Sequence, residues 1–309
     1  MNMKQYELEE GCFSYINIEE NETVRITSYQ GNQTQVVIPE SIEGYPVTEI
    51  GKKTFLGKKT LKKVIVPKSV TLIEDWAFAN SNQLEEVILE NENVRFGKGV
   101  FQGCKSLQKM VILKKNTEFS QEEEEQIGAL LAATVNLLDT PHLFRPDMAG
   151  EKEWLSQWDA RMLNFMRKDD HSGFTVVVLC GEEDYGSEEN SLSYFLKQKR
   201  KAKVRLAFLR LKNSMGITEE TKEELTTYLK EHTKGCETEE AWEVILEEHG
   251  NEKEYYEILM ECDGITNENF DGFLEDFKDN YPEMKAFLMK YKEETLGYGD
   301  FFGSLSLEL

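Results

Sequence analysis

The sequence predicts an α+β protein of two domains, a short repeat solenoid followed by an all-α helical domain. Two observations predict this division. Apolar residues recur every 23 positions up to about residue 113, and the apolar period then changes to that of amphipathic helices. The charge changes at the same place, because residues 1–116 contain 15 basic and 15 acidic residues, and the whole net charge of −22 falls in residues 117–309. We therefore expect domains at 1–116 and 117–309.

The residues before the repeat predict a β-hairpin. Phe13 and Tyr15 alternate with polar residues, as do Val24 and Ile26, on either side of the turn-like Glu20–Asn21. A solenoid needs an end cap that hides its open core from water. We expect the hairpin to be that cap.

The repeat itself predicts about four stacked turns. Val64 and Val66 alternate with period 2, which is typical of a short strand with one buried face. An earlier turn fits with about five extra residues around Gly44–Tyr45–Pro46, which we interpret as an extended turn. Each coil leaves its ends unpaired, so neighbouring coils must stack to close the core. The matched columns are Leu61/Leu84/Leu107, Val64/Val87/Met110, Val66/Leu89/Ile112, Ile50/Ile73/Phe96 and Phe55/Phe78/Phe101.

Two of these turns, VIVPKSVTLIEDWAF (Val64–Phe78) and VIPESIEGYPVTEIGKKTF (Val37–Phe55), resemble the bacterial BspA-like leucine-rich repeat. The resemblance covers about residues 30–113, and it implies a leucine-rich-repeat solenoid with a curved parallel sheet used for adhesion or protein binding. The last full turn departs from the pattern, because Glu90 stands where the motif has Pro. Many members of the family are surface proteins, whereas this sequence shows no export signal.

The second domain is expected to be helical throughout. Ser120 and Glu123 form a capping box that opens a helix to about Leu138, and residues 151–168 form a second amphipathic helix. The stretch Phe174–Leu179 is compatible with a buried strand or with a short buried helix. Six further helices are expected at 188–212, 218–232, 238–249, 252–262, 267–279 and 283–294.

The last four helices indicate a degenerate repeat. Three positions carry similar residues at a spacing of 28: the threonines Thr238/Thr266, the aromatic residues Trp242/Phe270 and the leucines Leu246/Leu274. The string TNENFDGFLEDFKDNYPEMKAFLMKYKEE resembles a divergent ankyrin-like helix pair. The final segment, which contains Phe301–Phe302, is more typical of a docking tail than of a helix.

Composition excludes several classes of function. An acidic chain is a poor nucleic-acid binder, and no run approaches the roughly 18 apolar residues that span a bilayer. No signal peptide is visible, and five widely spaced cysteines suit reduced structural thiols. We therefore expect a cytoplasmic protein with no membrane, nucleic-acid, metal, cofactor or small-molecule partner.

Three clusters invite a catalytic interpretation, and each has a simpler one. Asp169–His171 fits a solvated helix end better than an acid–base pair, and Cys180 fits a buried structural thiol better than a nucleophile. The acidic residues 182–184 lack the ligand spacing and central glycine of a calcium loop. We expect no catalytic and no metal-binding residues.

Two surfaces are candidates for binding a protein partner. If Val64 and Val66 point into the core, strand alternation turns Ile65 outward, together with its equivalents Val37, Ile88 and Val111. The alternative is that β-propensity alone explains these residues. A basic patch is also expected at Lys58, Lys59, Lys62 and Lys63, in a window without acidic residues, although lysines that merely protect strand edges explain it too.

These features favour a non-enzymatic protein–protein interaction or scaffold module. The alternative is an acidic inhibitor or immunity-type protein that neutralises a basic enzyme, because opposite fields steer such pairs together. We also expect the helical half to cover the open end of the solenoid, since strand Met110–Leu113 would otherwise leave an unpaired edge.

Overall fold

The computed structural model describes residues 3–8, 11–18, 22–113, 118–174, 191–278 and 280–297. The chain divides into two compact units, Met1–Met162 and Leu163–Leu309. The last repeat strand ends at Ile112, close to the boundary expected at 116/117. The first compact unit nevertheless continues beyond that boundary, because the helix that follows packs on the last strand.

A β-hairpin forms the N-terminal cap, as the sequence predicts. Strands β2 (Gly11–Ile18) and β3 (Thr23–Gln30) are antiparallel. A further strand, β1 (Lys4–Leu8), pairs antiparallel with β2 and was not expected from the sequence. Strand β3 then pairs in parallel with β6 (Tyr45–Ile50), so the cap shares a sheet with the solenoid.

About four coils follow, and their strands form two sheets. One parallel sheet consists of β4 (Gln35–Val37), β7 (Lys63–Val66), β9 (Glu86–Leu89) and β11 (Lys109–Ile112). The other extends the cap from β6 through β8 (Leu72–Ile73) to β10 (Arg95–Phe96). The expected turn extension at Gly44 is a small hairpin, in which β5 (Ser41–Ile42) pairs antiparallel with β6.

The core between the sheets contains a stack of aromatic rings. Phe55 and Phe78 stack at 4.8 Å and 9°, and Phe78 and Phe101 stack at 5.3 Å and 14°. The ring of Tyr29 from the cap meets Phe55 at 5.2 Å. One ring per coil repeats at the spacing of stacked strands, about 4.8 Å. The Phe column of the sequence is therefore a continuous buried ladder.

Helix α1 (Gln121–Asn136) closes the last strand. It begins with the expected capping box, in which Ser120 and Glu123 satisfy each other's backbone N–H groups. Gly128 lies so close to β11 that an added Cβ would overlap the carbonyl oxygen of Met110. The edge strand β11 is therefore covered by a helix of the first compact unit.

Helix α2 (Lys152–Met166) packs its tryptophans against the elements before it. The indole of Trp158 donates to the Leu130 carbonyl at 3.0 Å, and that of Trp154 donates to the Leu143 carbonyl at 2.8 Å. Leu143 belongs to a short 3-10 turn, Pro141–Leu143. These buried hydrogen bonds fix the connection between α1 and α2 to the end of the solenoid.

The second unit is helical in its described part. Its helices are α3 (Leu192–Lys212), α4 (Glu219–Glu231), α5 (Glu240–Glu248), α6 (Lys253–Glu261), α7 (Phe270–Phe277) and α8 (Pro282–Tyr291), followed by a π turn at Lys292–Leu296. They correspond to the six helices expected from the sequence. Residues Thr175–Leu179, Cys180 and the tail with Phe301–Phe302 lie outside the described residues.

Ion pairs and aromatic contacts hold this unit together. Four cations of α3 pair with carboxylates of α5, as in Lys197–Glu243 at 2.7 Å and Lys201–Glu247 at 2.6 Å. The Trp242 ring of α5 meets Phe273 of α7 at 4.5 Å. The α5–α6 and α7–α8 pairs therefore pack on one another, while the ankyrin-like character of these pairs stays a prediction.

Candidate functional site

The outer face of the sheet β4–β7–β9–β11 carries the predicted apolar ladder. The strand register pairs Val37 with Ile65, Ile65 with Ile88, and Ile88 with Val111. Their strand neighbours, such as Val64 and Val66, have no exposed surface. Alternation therefore directs the ladder away from the core. The predicted register and orientation are confirmed.

The ladder is open to solvent to different degrees along its length. Val37, on the edge strand β4, is 55% exposed. Ile65, Ile88 and Val111 are half-buried by their neighbours. Four strands about 4.8 Å apart make a stripe on the order of 14 Å long. A stripe of this size suits one or two apolar side chains of a partner.

A polar column borders the ladder on the same face. Gln35, Lys63, Glu86 and Lys109 stand in register on the four strands. Lys63 Nζ lies 2.6 Å from Glu86 Oε2, and Lys109 Nζ lies 3.4 Å from Glu125 Oε1 of α1. The face thus combines an apolar stripe with a charged border, the arrangement found at protein interfaces.

The basic patch is partly neutralised, which corrects the expectation from the sequence. Lys62 Nζ lies 2.8 Å from Glu85 Oε1, and Lys63 pairs with Glu86. Parallel stacking brings these carboxylates from 23 residues further along the chain, so a scan of neighbouring residues does not find them. Lys58 lies over the Tyr29 ring at 5.2 Å, and Lys59 has no ion pair within the described residues. Of the four predicted lysines, Lys58 and Lys59 thus have no ion pair among the described residues, and a partner-binding role of the patch stays a prediction.

The catalytic candidates that lie among the described residues do not come together as a site. His171 Nδ1 lies 3.0 Å from Asp169 Oδ1, and both side chains are exposed. Asp170 turns away from them and pairs with Lys203 at 2.6 Å. Cys180 and residues 182–184 lie outside the described residues. The described ranges hold no group of three or more His, Cys, Asp or Glu side chains placed to bind a metal.

A cleft at the end of the solenoid was not expected from the sequence. The cleft has a volume of about 860 Å³ and lies between the last coil and the α1–α2 connection. Its walls include Phe96, Phe101 and Phe144. The sequence did contain a signal. The two left-handed positions of each coil are Lys53 and Gly57, then Trp76 and Asn80, and only in the last coil are both glycine, at Gly99 and Gly103.

The comparisons with known proteins concern the first part of the chain. Residues 22–126 match the family model of the BspA type leucine rich repeat region, in 6 copies. No curated protein matches the chain. Searched over the described residues, no helix is long and apolar enough to cross a membrane.

Solved structures with leucine-rich repeats resemble about a third of the chain. A leucine rich repeat protein of T. pallidum is 30% identical, with a TM-score of 0.32, over 35% of this chain and 50% of that one. A leucine rich cell surface protein of Faecalibacterium prausnitzii A2-165 is 27% identical, with a TM-score of 0.31, over 36% and 33%. A leucine-rich repeat protein from Bacteroides capillosus ATCC 29799 is 30% identical, with a TM-score of 0.30, over 37% and 89%. The match thus spans half of the T. pallidum chain and a third of the F. prausnitzii chain.

Proposed function

Because its residues 22–126 make this chain a member of the BspA-type leucine-rich repeat family, we propose that it is a non-enzymatic module that binds a protein partner through the outer face of β4–β7–β9–β11. The observation that carries the proposal is the ladder of Val37, Ile65, Ile88 and Val111, aligned in register on an outward face. Leucine-rich-repeat proteins are in general protein-interaction modules. Solenoid sheets supply an extended surface of this kind.

Burial of the apolar ladder would supply the affinity for the partner. The charged residues that border the ladder would orient the partner on the sheet. Covering an exposed aliphatic side chain contributes about 1 kcal/mol or more. The Lys63–Glu86 pair and Lys109 stand at the edge of the stripe. Charges at such a rim mainly steer encounter and exclude wrong partners.

A photo-crosslinking experiment tests this proposal. A benzoylphenylalanine at position 65, introduced in the native cell, should capture one partner, whereas the same group at Leu72 of the other sheet should not. The captured protein is then purified and titrated against the double variant Ile65→Lys/Ile88→Lys. We expect its affinity to fall by at least about tenfold, because two apolar contacts become buried charges.

The matched control is Leu72→Lys, a half-buried position on the other sheet. Both variants should keep the circular dichroism and thermal transition of the parent, since neither Ile65 nor Ile88 fills the core. If the purified partner binds the double variant as tightly as the parent, the strand face is not its binding site.

Two finer expectations belong to the same proposal. The acidic-inhibitor alternative predicts that the captured partner is a basic enzyme whose activity the chain suppresses. Some carboxylates of the second unit are already paired with cations of the same unit, as in Lys197–Glu243 and Lys201–Glu247.

A cytoplasmic location stays a prediction that cell fractionation checks.

A further inference from the structure

The cleft at the end of the solenoid presents the unpaired side of the last coil. In each earlier coil, alternate backbone N–H groups donate to carbonyls of the next coil. Trp76 donates to Lys98, Phe78 to Val100 and Asn80 to Gln102, at 2.9, 2.9 and 2.7 Å. The coil before repeats the same three bonds one turn earlier, with Lys53, Phe55 and Gly57 as donors.

The equivalent donors of the last coil are the N–H groups of Gly99, Phe101 and Gly103, which follow at the same spacing of 23 residues. All three residues line the cleft. Within the part of the chain that the structure describes, no acceptor bonds to these three N–H groups. Helix α1 occupies the position of the next coil only on the side of β11, where Gly128 meets Met110. The other side of the coil therefore ends in three aligned donors.

Side chains of both charges line the cleft beside an aromatic wall, and Glu92 and Asp139 belong to this lining together with the cations. Arg95 and Lys98 are exposed, and neither cation has a carboxylate within ion-pair distance among the described residues. Arg145, which lines the opposite wall, is instead neutralised by Asp147, with Nη2–Oδ2 at 2.6 Å. The Phe96 and Phe144 rings meet edge to face at 4.8 Å between these walls.

We propose that this cleft is a second binding site, and that it takes an extended peptide segment of a partner protein, with Asp or Glu residues beside an apolar residue, whose backbone follows the path of the missing coil. Its carbonyl groups at alternate residues accept from the N–H groups of Gly99, Phe101 and Gly103. Its carboxylates meet Arg95 and Lys98, and an apolar side chain lies against Phe96 and Phe144. The volume of about 860 Å³ falls in the range of ligand sites.

The pattern of donors favours a peptide over a free anion. A bound oxyanion is held by donors that converge on one point, as at a helix N-terminus. Here the donors belong to alternate residues, the pattern by which one chain adds its backbone to another. The unpaired cations Arg95 and Lys98 then favour a segment with carboxylates opposite them.

The test begins with a phage-displayed heptapeptide library, selected on the full-length chain. We expect peptides with Asp or Glu beside an apolar residue to be enriched, with Gly or Asn where the coil takes the left-handed conformation at Gly99 and Gly103. An enriched peptide, made synthetically with blocked ends and a fluorescent label, is then titrated by anisotropy. Arg95→Glu/Lys98→Glu should weaken its binding by about tenfold or more, with the loss reduced at high salt.

The matched control is Lys105→Glu, an exposed charge reversal in the same coil outside the cleft. It should bind the peptide as the parent does, and so should Ile65→Lys/Ile88→Lys, which separates this site from the strand face. Amide hydrogen exchange should show new protection at Gly99, Phe101 and Gly103 when the peptide is bound.

Three results would overturn the proposal. One is a selection that enriches no peptide over the empty support. Another is a peptide that binds the Arg95→Glu/Lys98→Glu variant normally or protects the amides of β4 and β7 instead. The third is equal protection of the three amides by inorganic phosphate or free glutamate at about 10 mM, a concentration that would saturate a weak site. That result would show that the cleft binds small anions rather than a peptide.

Discussion

The ring of Phe144 lies 5.6 Å from the ring of Phe101, at an angle of 63°, and ends the aromatic ladder of the solenoid. Phe101 is the last member of the repeat column, whereas Phe144 comes from the connection between α1 and α2. A residue outside the repeat thus supplies the contact that a further coil would make. Capping groups of this kind are needed because terminal repeats lack one neighbour.

Replacing Phe144 should destabilise the first compact unit. Phe144→Ala removes two aromatic contacts, with Phe96 and Phe101, from a half-buried position. We expect a loss of about 2 kcal/mol, below the 3–5 kcal/mol typical of a fully buried Phe. Urea denaturation followed by circular dichroism measures it. Leu56→Ala, at an exposed apolar residue of the same unit, is the control and should change stability by less than about 0.5 kcal/mol.

Gly128 should not tolerate a methyl group, although it lies inside a helix. Gly→Ala in a helix normally stabilises by about 1 kcal/mol. Here the new Cβ would overlap the Met110 carbonyl, so we expect Gly128→Ala to destabilise by roughly 2 kcal/mol. Gly272→Ala in α7 is the control, because its Cβ would meet only the flexible end of Lys234, at 3.0 Å. A stabilised Gly128→Ala variant would show that α1 does not pack on β11 in this way.

Lys63 should matter more to stability than Lys59, despite their similar place in the sequence. Lys63→Glu sets a second carboxylate beside Glu86 on the neighbouring strand, where the cation now lies at 2.6 Å. We expect a loss of about 1 kcal/mol that shrinks as salt is added. Lys59→Glu meets no such carboxylate in the described chain and should leave the unfolding midpoint unchanged. Thermal unfolding of both variants at 20 mM and roughly 1 M salt separates the two outcomes.

The cysteines should differ sharply in reactivity at neutral pH. Burial raises the pKa of the Cys104 and Cys262 thiols to about 12, so both stay protonated and shielded. Cys236 is exposed. In a Cys180→Ser background, a thiol reagent should therefore modify Cys236 first, and the other three only on unfolding.

The control for that experiment is the further replacement Cys236→Ser, which should abolish the fast phase. A second fast thiol in the folded Cys180→Ser variant would contradict the burial of Cys12, Cys104 or Cys262. Because burial holds the pKa values of Cys104 and Cys262 far above neutrality, neither thiol should join the fast phase when the pH is made mildly alkaline.

Local patterns in the sequence predicted most elements of the fold. The 23-residue period located the strands, and the Ser120–Glu123 capping box located the start of α1. The outward ladder also followed, because strand alternation and a fixed repeat set the register of Ile65 and Ile88. Strand β1 carries no comparable pattern, and it exists because β2 offers it an edge for pairing.

Relationships between residues far apart in the sequence were decided only by the tertiary structure. Lys63 meets Glu86 because the coils stack in parallel, so the basic patch is partly neutralised by carboxylates of the next turn. The donors of Gly99, Phe101 and Gly103 line a cleft because α1 covers the last strand but not the other side of the last coil. A repeat determines how each coil meets its neighbour, since the same contacts recur at a fixed spacing. It does not determine what meets the final coil, because that surface depends on how a non-repeating segment packs.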